Sequence, residues 1–303
     1  MKRLLVTGAS GFVGRYVLAA LNEGHESYEV HGLSRRAPSR QNGIFWHRAD
    51  LLSPGTDEIV KDISATHLLH LAWVTERRSY WTSDDNLRWL EASTRLLRSF
   101  RAGGGNSFVG VGTCSEYAPS AERCSELTTP IVPWSIYGAS KAALASLAPS
   151  LLGPDIAATW ARLFYLYGPG EPGDRLVPRL LNVAASGGEI NLHADHVRDY
   201  LHVSDVAKAL LVLLDAQPNG AVNVGSGRGL STRELASAAG VAAKGRVNLL
   251  PPYQGTSRFS SAPGYVVADN ERLRSLGWEP VISLVDGLRE MAGPRAGRAG
   301  ANE

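Results

Sequence analysis

Tyr137-Gly138-Ala139-Ser140-Lys141 sets a phenol and an ammonium four residues apart, so that on a helix both project from one face. Ten Tyr and five Lys in 303 residues supply about 0.17 such pairs by chance, which makes the spacing specific. A phenol with a free pKa near ~10 becomes a usable acid or base when neighbouring positive charge lowers it. The plain alternative is an exposed pair on an amphipathic helix. A second constellation is Gly8-x-x-Gly11-x-x-Gly14. Glycines so spaced let the backbone turn tightly, bring N–H groups against a pyrophosphate and let a helix pack close to a sheet, its N-terminus adding positive potential. In a chain with 32 Gly the pattern arises by chance about 0.3 times, so its context decides.

That context is a strand and a helix. Leu4 to Val6 reads as a strand, and Gly14 to Leu21 as a helix with Val17, Leu18 and Leu21 on one face and Gly24 at its end. Further strands are read at Glu29 to Leu33, Phe45 to His47, His67 to Leu71, Phe108 to Val111 and Ala157 to Ala161. Helices fall near Asp57 to Asp62, Asp84 to Arg101 and Tyr137 to Leu147, the last cut short by Pro149. Strand, helix, strand at this spacing demands right-handed crossovers and a mostly parallel sheet covered on both faces. The expected fold is α/β, a doubly wound Rossmann sheet over residues 1–165. After Tyr167-Gly168-Pro169-Gly170 the rhythm loosens, and a smaller second domain, partly interleaved with the first, is expected over 166–292. Residues 293–303, rich in Gly, Ala and Arg, read as a disordered tail.

Composition narrows the function. With 31 basic against 29 acidic residues the net charge is +2, and no footprint for nucleic acid or a membrane surface is present in that total. The longest apolar run, Ala209 to Leu214, is far below the ~18 residues of a spanning helix. Two cysteines, Cys114 and Cys124, fit a reducing compartment, and the apolar run after Lys2 and Arg3 stops too early for a signal peptide, so a cytoplasmic location is expected. His193, His196 and His202 match no zinc spacing, and no metal is expected.

A dinucleotide cradle needs a ribose selector. About 20 residues past the last glycine, an NAD site would hold an Asp or Glu on the ribose 2′-hydroxyl. Here stand Ser34, Arg35 and Arg36. A hydroxyl and a guanidinium grip a 2′-phosphate that a carboxylate would repel, so NADP(H) is favoured and NAD(H) stays open. Asp50 and Leu51, after the third strand, are expected to flank the adenine.

Taken in order, Thr7-Gly8-Ala9-Ser10-Gly11-Phe12-Val13-Gly14, His70-Leu71-Ala72, Thr113 ahead of Tyr117, Tyr137 to Lys141 and Tyr167-Gly168-Pro169-Gly170 make a recognisable series. It continues with Arg198-Asp199-Tyr200-Leu201-His202-Val203-Ser204-Asp205, Asn223-Val224-Gly225-Ser226 and Leu276-Gly277-Trp278-Glu279-Pro280. The series resembles the extended short-chain dehydrogenase/reductases: the nucleotide-sugar epimerases, dehydratases and reductases. The resemblance implies that Tyr137 transfers the proton, Lys141 holds the nicotinamide ribose and tunes Tyr137, and Thr113 steadies the reacting oxygen. It also implies cofactor contacts at Gly8, Ser10, Gly11, Phe12, Val13, Gly14, Leu71 and Ala72. A nucleotide-diphosphate contact is implied at Arg198, with Arg179 and Arg258 as further candidates. It implies as well a homodimer through a four-helix bundle built from the helices at Asp84 to Arg101 and Tyr137 to Leu147.

The residues beside Thr113 bear on the reaction. Dehydratases of this resemblance carry Asp-Glu after the Thr, because elimination of water needs another acid and base; here Cys114 and Ser115 follow, and neither serves both roles. The segment through Glu116 is more similar to reductases that take a nucleotide-linked 4-keto-6-deoxyhexose to the 4-hydroxy sugar, with a 4-epimerase as the alternative. Cys114, Ser115 and Glu116 are therefore counted with the substrate-binding residues. Glu116 is also open as a second acid or base, or as a loop hydrogen-bonder. Trp73, Tyr80 and Trp81 are expected to wall the sugar pocket. A non-catalytic redox sensor on the same fold is a further alternative, opposed by the presence of both Tyr137 and Lys141.

Overall fold

The computed structural model of the chain describes residues 2–24, 27–36, 43–75, 80–191, 195–250 and 263–293. Arg258 and residues 294–303 lie outside them. The chain opens with β1 (Lys2–Thr7), α1 (Phe12–Asn22), β2 (Tyr28–Ser34), β3 (Ile44–Arg48), α2 (Thr56–Ile63) and β4 (His67–His70). It continues through α3 (Asp85–Ala102), β5 (Ser107–Thr113), α4 (Ile136–Leu152) and β6 (Ala157–Leu163). These strands form one parallel sheet with β10 (Gly220–Val224), in the order β10-β6-β5-β4-β1-β2-β3. The order reverses beside β1, so the carboxyl ends of β1 and β4 open a crevice, the place where such sheets bind ligands.

Alternation along the strands builds two cores. In β1, Leu4 and Val6 join Val17, Leu18, Leu210 and Leu214 on one face. Leu5, between them, joins Leu68, Leu97, Phe108 and Leu144 on the other. The sheet is buried on both sides, which is why its strands read as continuous apolar runs. In α4 the structure corrects one expectation. Pro149 lies inside the helix, and the last turn runs on to Leu152. Ala148 and Leu152 are both buried in the second core, and that packing holds the turn despite the missing N–H.

Beyond β6 the chain runs through β7 (Tyr165–Tyr167), α5 (Leu176–Ser186), β8 (Glu189–Asn191), β9 (Val197–His202) and α6 (Val203–Ala216). After β10 come β11 (Gly229–Ser231), α7 (Thr232–Ala242), β12 (Asn248–Leu250), β13 (Tyr265–Val266), α8 (Glu271–Arg274) and α9 (Leu284–Ala292). This half serves both parts of the molecule. The strand β10 returns to the large sheet and α6 packs on α1, while β7, β9, β11 and β13 make a separate small sheet. A third apolar cluster joins Leu180 and Leu181 of α5 to Leu235 of α7 and Leu288 of α9. Buried polar groups lock the two parts together. Asp199 of β9 accepts from Ser226 N (2.7 Å), Gly227 N (2.9 Å) and Ala268 N (3.1 Å). Asp205 accepts from Val281 N and Ile282 N, and its carbonyl takes the Trp278 indole N–H at 3.1 Å. Asn223 bonds the carbonyls of Cys124 and Asp269. Among the described residues no helix is long and apolar enough to cross a membrane.

Candidate active site

The cradle is the turn from β1 into α1. Gly8 sits at φ +68°, and a Cβ there would lie 2.8 Å from the backbone N of Ala72; one at Gly14 would strike the carbonyl oxygens of Gly8 and Ala9. The turn is closed by Gly11 N donating to Gly8 O at 2.9 Å, and Gly11 caps α1. Leu71 N donates to Thr7 O (3.2 Å) and Ala72 N to Thr7 Oγ1 (3.3 Å), which ties the end of β4 to the cradle. Behind it, His70 Nδ1 lies 2.7 Å from Thr7 Oγ1 and Nε2 2.9 Å from Ser93 Oγ. Burial lowers this imidazole to about 3, so it is a neutral buttress. α1 thus begins in a turn with no Cβ at positions 8, 11 and 14, the type of helix N-terminus that lets a pyrophosphate approach the backbone.

At the end of β2, Ser34 Oγ is 2.8 Å from Ser10 Oγ, with Arg35 and Arg36 exposed beyond it. A carboxylate is absent where a ribose 2′-hydroxyl would need one, and the residues present fit a dinucleotide carrying either a hydroxyl or a phosphate there. Phe12 and Val13 open α1 and are half-buried. Asp50 turns its carboxylate inward to accept from Leu52 N at 3.1 Å, and Leu51 is buried, its carbonyl bonded by Arg95. Both hold the loop after β3 in shape.

Tyr137 stands in the first turn of α4, where the Ser135 hydroxyl accepts from Gly138 N. Around its ring are Tyr80, edge-on at 5.0 Å, and Trp81, edge-on at 5.4 Å, with Trp134 on Trp81 at 4.7 Å. Burial raises the phenol well above its usual value, with Tyr80 the next cause; a hydrogen bond with Thr113 acts the other way. One turn on, Lys141 is buried. Its Nζ donates to Val111 O at 2.7 Å and lies 4.0 Å above the Trp73 ring. Burial lowers the ammonium to about 7. The expectation that Lys141 draws the phenol down to working pH is thereby corrected for the protein on its own: desolvation dominates both groups. The positive ring of an oxidised nicotinamide is the other half of that expectation and belongs to the bound complex.

Thr113 closes β5, and its Oγ1 accepts from Ser115 N at 3.2 Å, leaving the hydroxyl proton to donate. Glu116 is placed beneath this turn and not in a pocket wall. Fully buried, its Oε1 accepts from Thr113 N (2.8 Å) and the Trp160 indole (3.0 Å), and its Oε2 from Arg162 Nε (2.7 Å). Both oxygens are engaged, which corrects its reading as a substrate contact or second acid. Trp73 is likewise corrected from wall to floor: it is buried under Lys141, its indole N–H bonded to Asn86 Oδ1 at 2.9 Å. Cys114 and Ser115 are buried beside Thr113, and burial pushes the Cys114 thiol up to about 12, far from a nucleophile.

Arg198 is buried, its guanidinium donating to the carbonyls of Val197, Gly264 and Pro263 and lying 5.4 Å from the Tyr165 ring. Arg179 is on the exposed side of α5, away from these contacts. Sequence reasoning missed Trp134, Tyr165, Tyr200 and Arg175. Arg175 caps α5, donates to Thr75 O at 2.9 Å and lies over the Tyr80 ring at 5.5 Å. Tyr165 and Tyr200 face each other at 5.7 Å. Alternate positions of β7 and β9 next to the Gly168 turn were the signal available for them. Among the described residues no group of His, Cys, Asp and Glu is arranged for a metal ion.

A profile of the NAD dependent epimerase/dehydratase family matches residues 4–225. A dTDP-glucose 4,6-dehydratase of Streptomyces griseus is 29% identical over 94% of this chain and 91% of its own length. Among solved structures, MoeE5 in complex with UDP-glucose and NAD is 26% identical, with a TM-score of 0.81 over 96% of this chain and 97% of that one. The UDP-glucose 4-epimerase of Thermus thermophilus, in complex with NAD, is 28% identical with a TM-score of 0.80 over the same shares. The profile runs from the first strand of the large sheet to its last, across the cradle, Thr113, Tyr137 and Lys141. The chain belongs to the NAD dependent epimerase/dehydratase family, within the extended short-chain dehydrogenase/reductases.

Proposed function

We propose that this enzyme reduces the 4-keto group of a nucleoside-diphosphate-linked 4-keto-6-deoxysugar to the 4-hydroxyl, using NADPH. The observation that carries the reading is the ribose end of the cradle, where Ser34 pairs with Ser10 and is followed by two exposed arginines, with no carboxylate. A net reduction draws on a reduced cofactor, and a 2′-phosphate is gripped by hydroxyls and guanidinium groups.

A nicotinamide dinucleotide held by the cradle would supply the hydride for the carbonyl carbon. Gly8, Gly11 and Gly14 with Ser10 hold the pyrophosphate end, Ser34, Arg35 and Arg36 the 2′-phosphate, and Lys141 the ribose next to the reacting ring. Tyr137 gives its proton to the carbonyl oxygen as negative charge builds there, and the Thr113 hydroxyl donates to the same oxygen. At neutral pH the phenol is protonated, the form that a donor requires. Tyr80 and Trp81 exclude water from this centre.

A 4-epimerase is the second reading, favoured by the likeness to the Thermus thermophilus UDP-glucose 4-epimerase over nearly the whole chain. One experiment separates the two. The purified protein is given NADPH with a dTDP- or UDP-linked 4-keto-6-deoxyhexose, and separately UDP-glucose. Consumption of NADPH matching the appearance of a 4-hydroxy sugar supports reduction. Conversion of UDP-glucose to its 4-epimer without net change in cofactor moves the assignment to the epimerase. Titration calorimetry tests the cofactor half: NADPH binds about tenfold or more tightly than NADH, and equal affinities would remove that part of the proposal.

The same reading includes a homodimer. Helices α3 and α4 lie side by side, and their outer faces expose Leu87 and Leu147. Paired about a two-fold axis, they make a four-helix bundle.

A further inference from the structure

The turn that follows β7, Gly168-Pro169-Gly170-Glu171, is anchored on both sides. Glu171 N donates to Gly168 O at 3.1 Å, Tyr16 Oη to Pro169 O at 2.8 Å, and Arg15 reaches Gly170 O at 3.4 Å. Downstream, Arg175 N donates to Pro172 O at 3.0 Å. The carboxyl at the end of this turn therefore has a defined place. Its Oε2 is buried and without a hydrogen-bond partner. The charged and titratable groups that act on it are Arg175 and Asp174 of its own loop, and it acts in turn on Tyr200 of β9. Two chains of contacts lead from these neighbours to the reacting centre. Arg175 lies over Tyr80, which meets Tyr137 edge-on; Tyr200 meets Tyr165, which interacts electrostatically with Cys114, the residue after Thr113.

A buried oxygen with no partner loses its hydration and recovers nothing from the fold. Sugar hydroxyls carry the complementary donor and acceptor, and on the proposed reading the sugar lies at the reacting centre to which both chains of contacts lead. We infer that Glu171 is a specificity-determining residue that hydrogen-bonds one hydroxyl of the sugar ring of a nucleoside-diphosphate hexose. This inference rests on the nucleotide-sugar reading of the site and adds the group that selects among sugars. Burial raises Glu171 to about 8, so near neutral pH it is a neutral acid, able both to donate to and to accept from a hydroxyl. A site built to bond a hydroxyl rejects the analogue that lacks it, because the protein group is then left unpaired.

The test uses that rejection. Full-length wild type, Glu171→Gln and Glu171→Leu are titrated calorimetrically with UDP-glucose, dTDP-glucose and the 2- and 3-deoxy analogues of the tighter of the two. One deoxy analogue binds wild type about 10-fold or more weakly than its parent, by the loss of one buried hydrogen bond. The same ratio persists in Glu171→Gln, which keeps a donor and an acceptor, and collapses toward one in Glu171→Leu. Melting curves of all three confirm folding, and Glu171→Leu, which removes an unpaired buried group, melts no lower than wild type. Wild type that binds a parent sugar while Glu171→Leu keeps an unchanged analogue ratio, or wild type that binds every analogue equally, overturns the role of Glu171 alone. Wild type that binds neither parent overturns the nucleotide-sugar reading, and the role of Glu171 with it.

Discussion

At the scale of single residues, the proposed reading separates a proton donor, Tyr137, from the groups that hold it. Tyr137→Phe removes the donor and leaves the ring among Tyr80 and Trp81, so kcat falls by the ~10²–10⁴ typical of a lost general acid while NADPH affinity is little changed. Steady-state kinetics with the keto sugar and a cofactor titration check both halves. Near-full turnover by this variant would mean that the proton comes from elsewhere, and Glu116 is not available, since Thr113, Trp160 and Arg162 occupy its oxygens. Lys141→Met is expected to damage kcat and cofactor binding together, because the proposed reading gives one ammonium both the ribose and the electrostatics around Tyr137. Thr113→Val costs less than Tyr137→Phe, as one orienting donor is lost and the phenol remains.

At the scale of elements, the turn between β5 and α4 is held from below by the Glu116–Arg162 pair. Arg162 also donates to Tyr117 Oη at 3.0 Å, and Tyr117 in turn to Asn223 Oδ1 at 2.7 Å, linking β6 and β10 to the turn after Thr113. Glu116→Ala strands a buried guanidinium and is expected to destabilise the protein by ~3–5 kcal/mol, read from denaturant midpoints; replacing both partners by apolar residues recovers most of it. How much of this was legible in the sequence follows from the range of each interaction. The strands of the sheet were readable because burial on both faces leaves no polar residue to interrupt Leu4-Leu5-Val6 or Leu68-Leu69. The cradle was readable because three glycines answer to one local turn. Tyr137 and Lys141 were readable because a single helical turn relates them. Local spacing carries no such signal for Glu116 against Arg162, or for Arg175 against Tyr80, where partners 46 and 95 positions apart meet only through the topology. The motif around Arg198 and Asp199 is largely of this kind, since Asp199 binds backbone from two later loops. Pro149 misled for a related reason: the packing of Leu152 outweighs one missing backbone donor.

At the scale of the whole molecule, α3 and α4 present the face proposed to pair two copies, and light scattering at micromolar concentration is expected to give twice the chain mass; a monomer alone would remove the bundle. Stability as a function of pH tests the cost of the site itself. Glu171 titrates near 8 in the folded chain against an ordinary value of 4.5. Between those values the unfolded chain has released a proton that the folded chain keeps, so this contribution is complete below about 4.5 and is lost as pH rises to about 8. Lys141 titrates near 7 against an ordinary 10.5. Its unfolded form binds the proton that the folded form lacks, so its contribution is complete above about 10.5 and is lost as pH falls to about 7. The two slopes have opposite sign and meet near neutrality, where the molecule carries most of both penalties. Melting temperatures from pH 5 to 10 are expected to show this through the variants. The gain of Glu171→Gln over wild type grows from pH 5 to 8 and then levels. The gain of Lys141→Met shrinks from pH 7 to 10. A variant curve running parallel to wild type across its window would mean that the group concerned titrates alike in the folded and unfolded chains, and that its burial exacts no cost in stability.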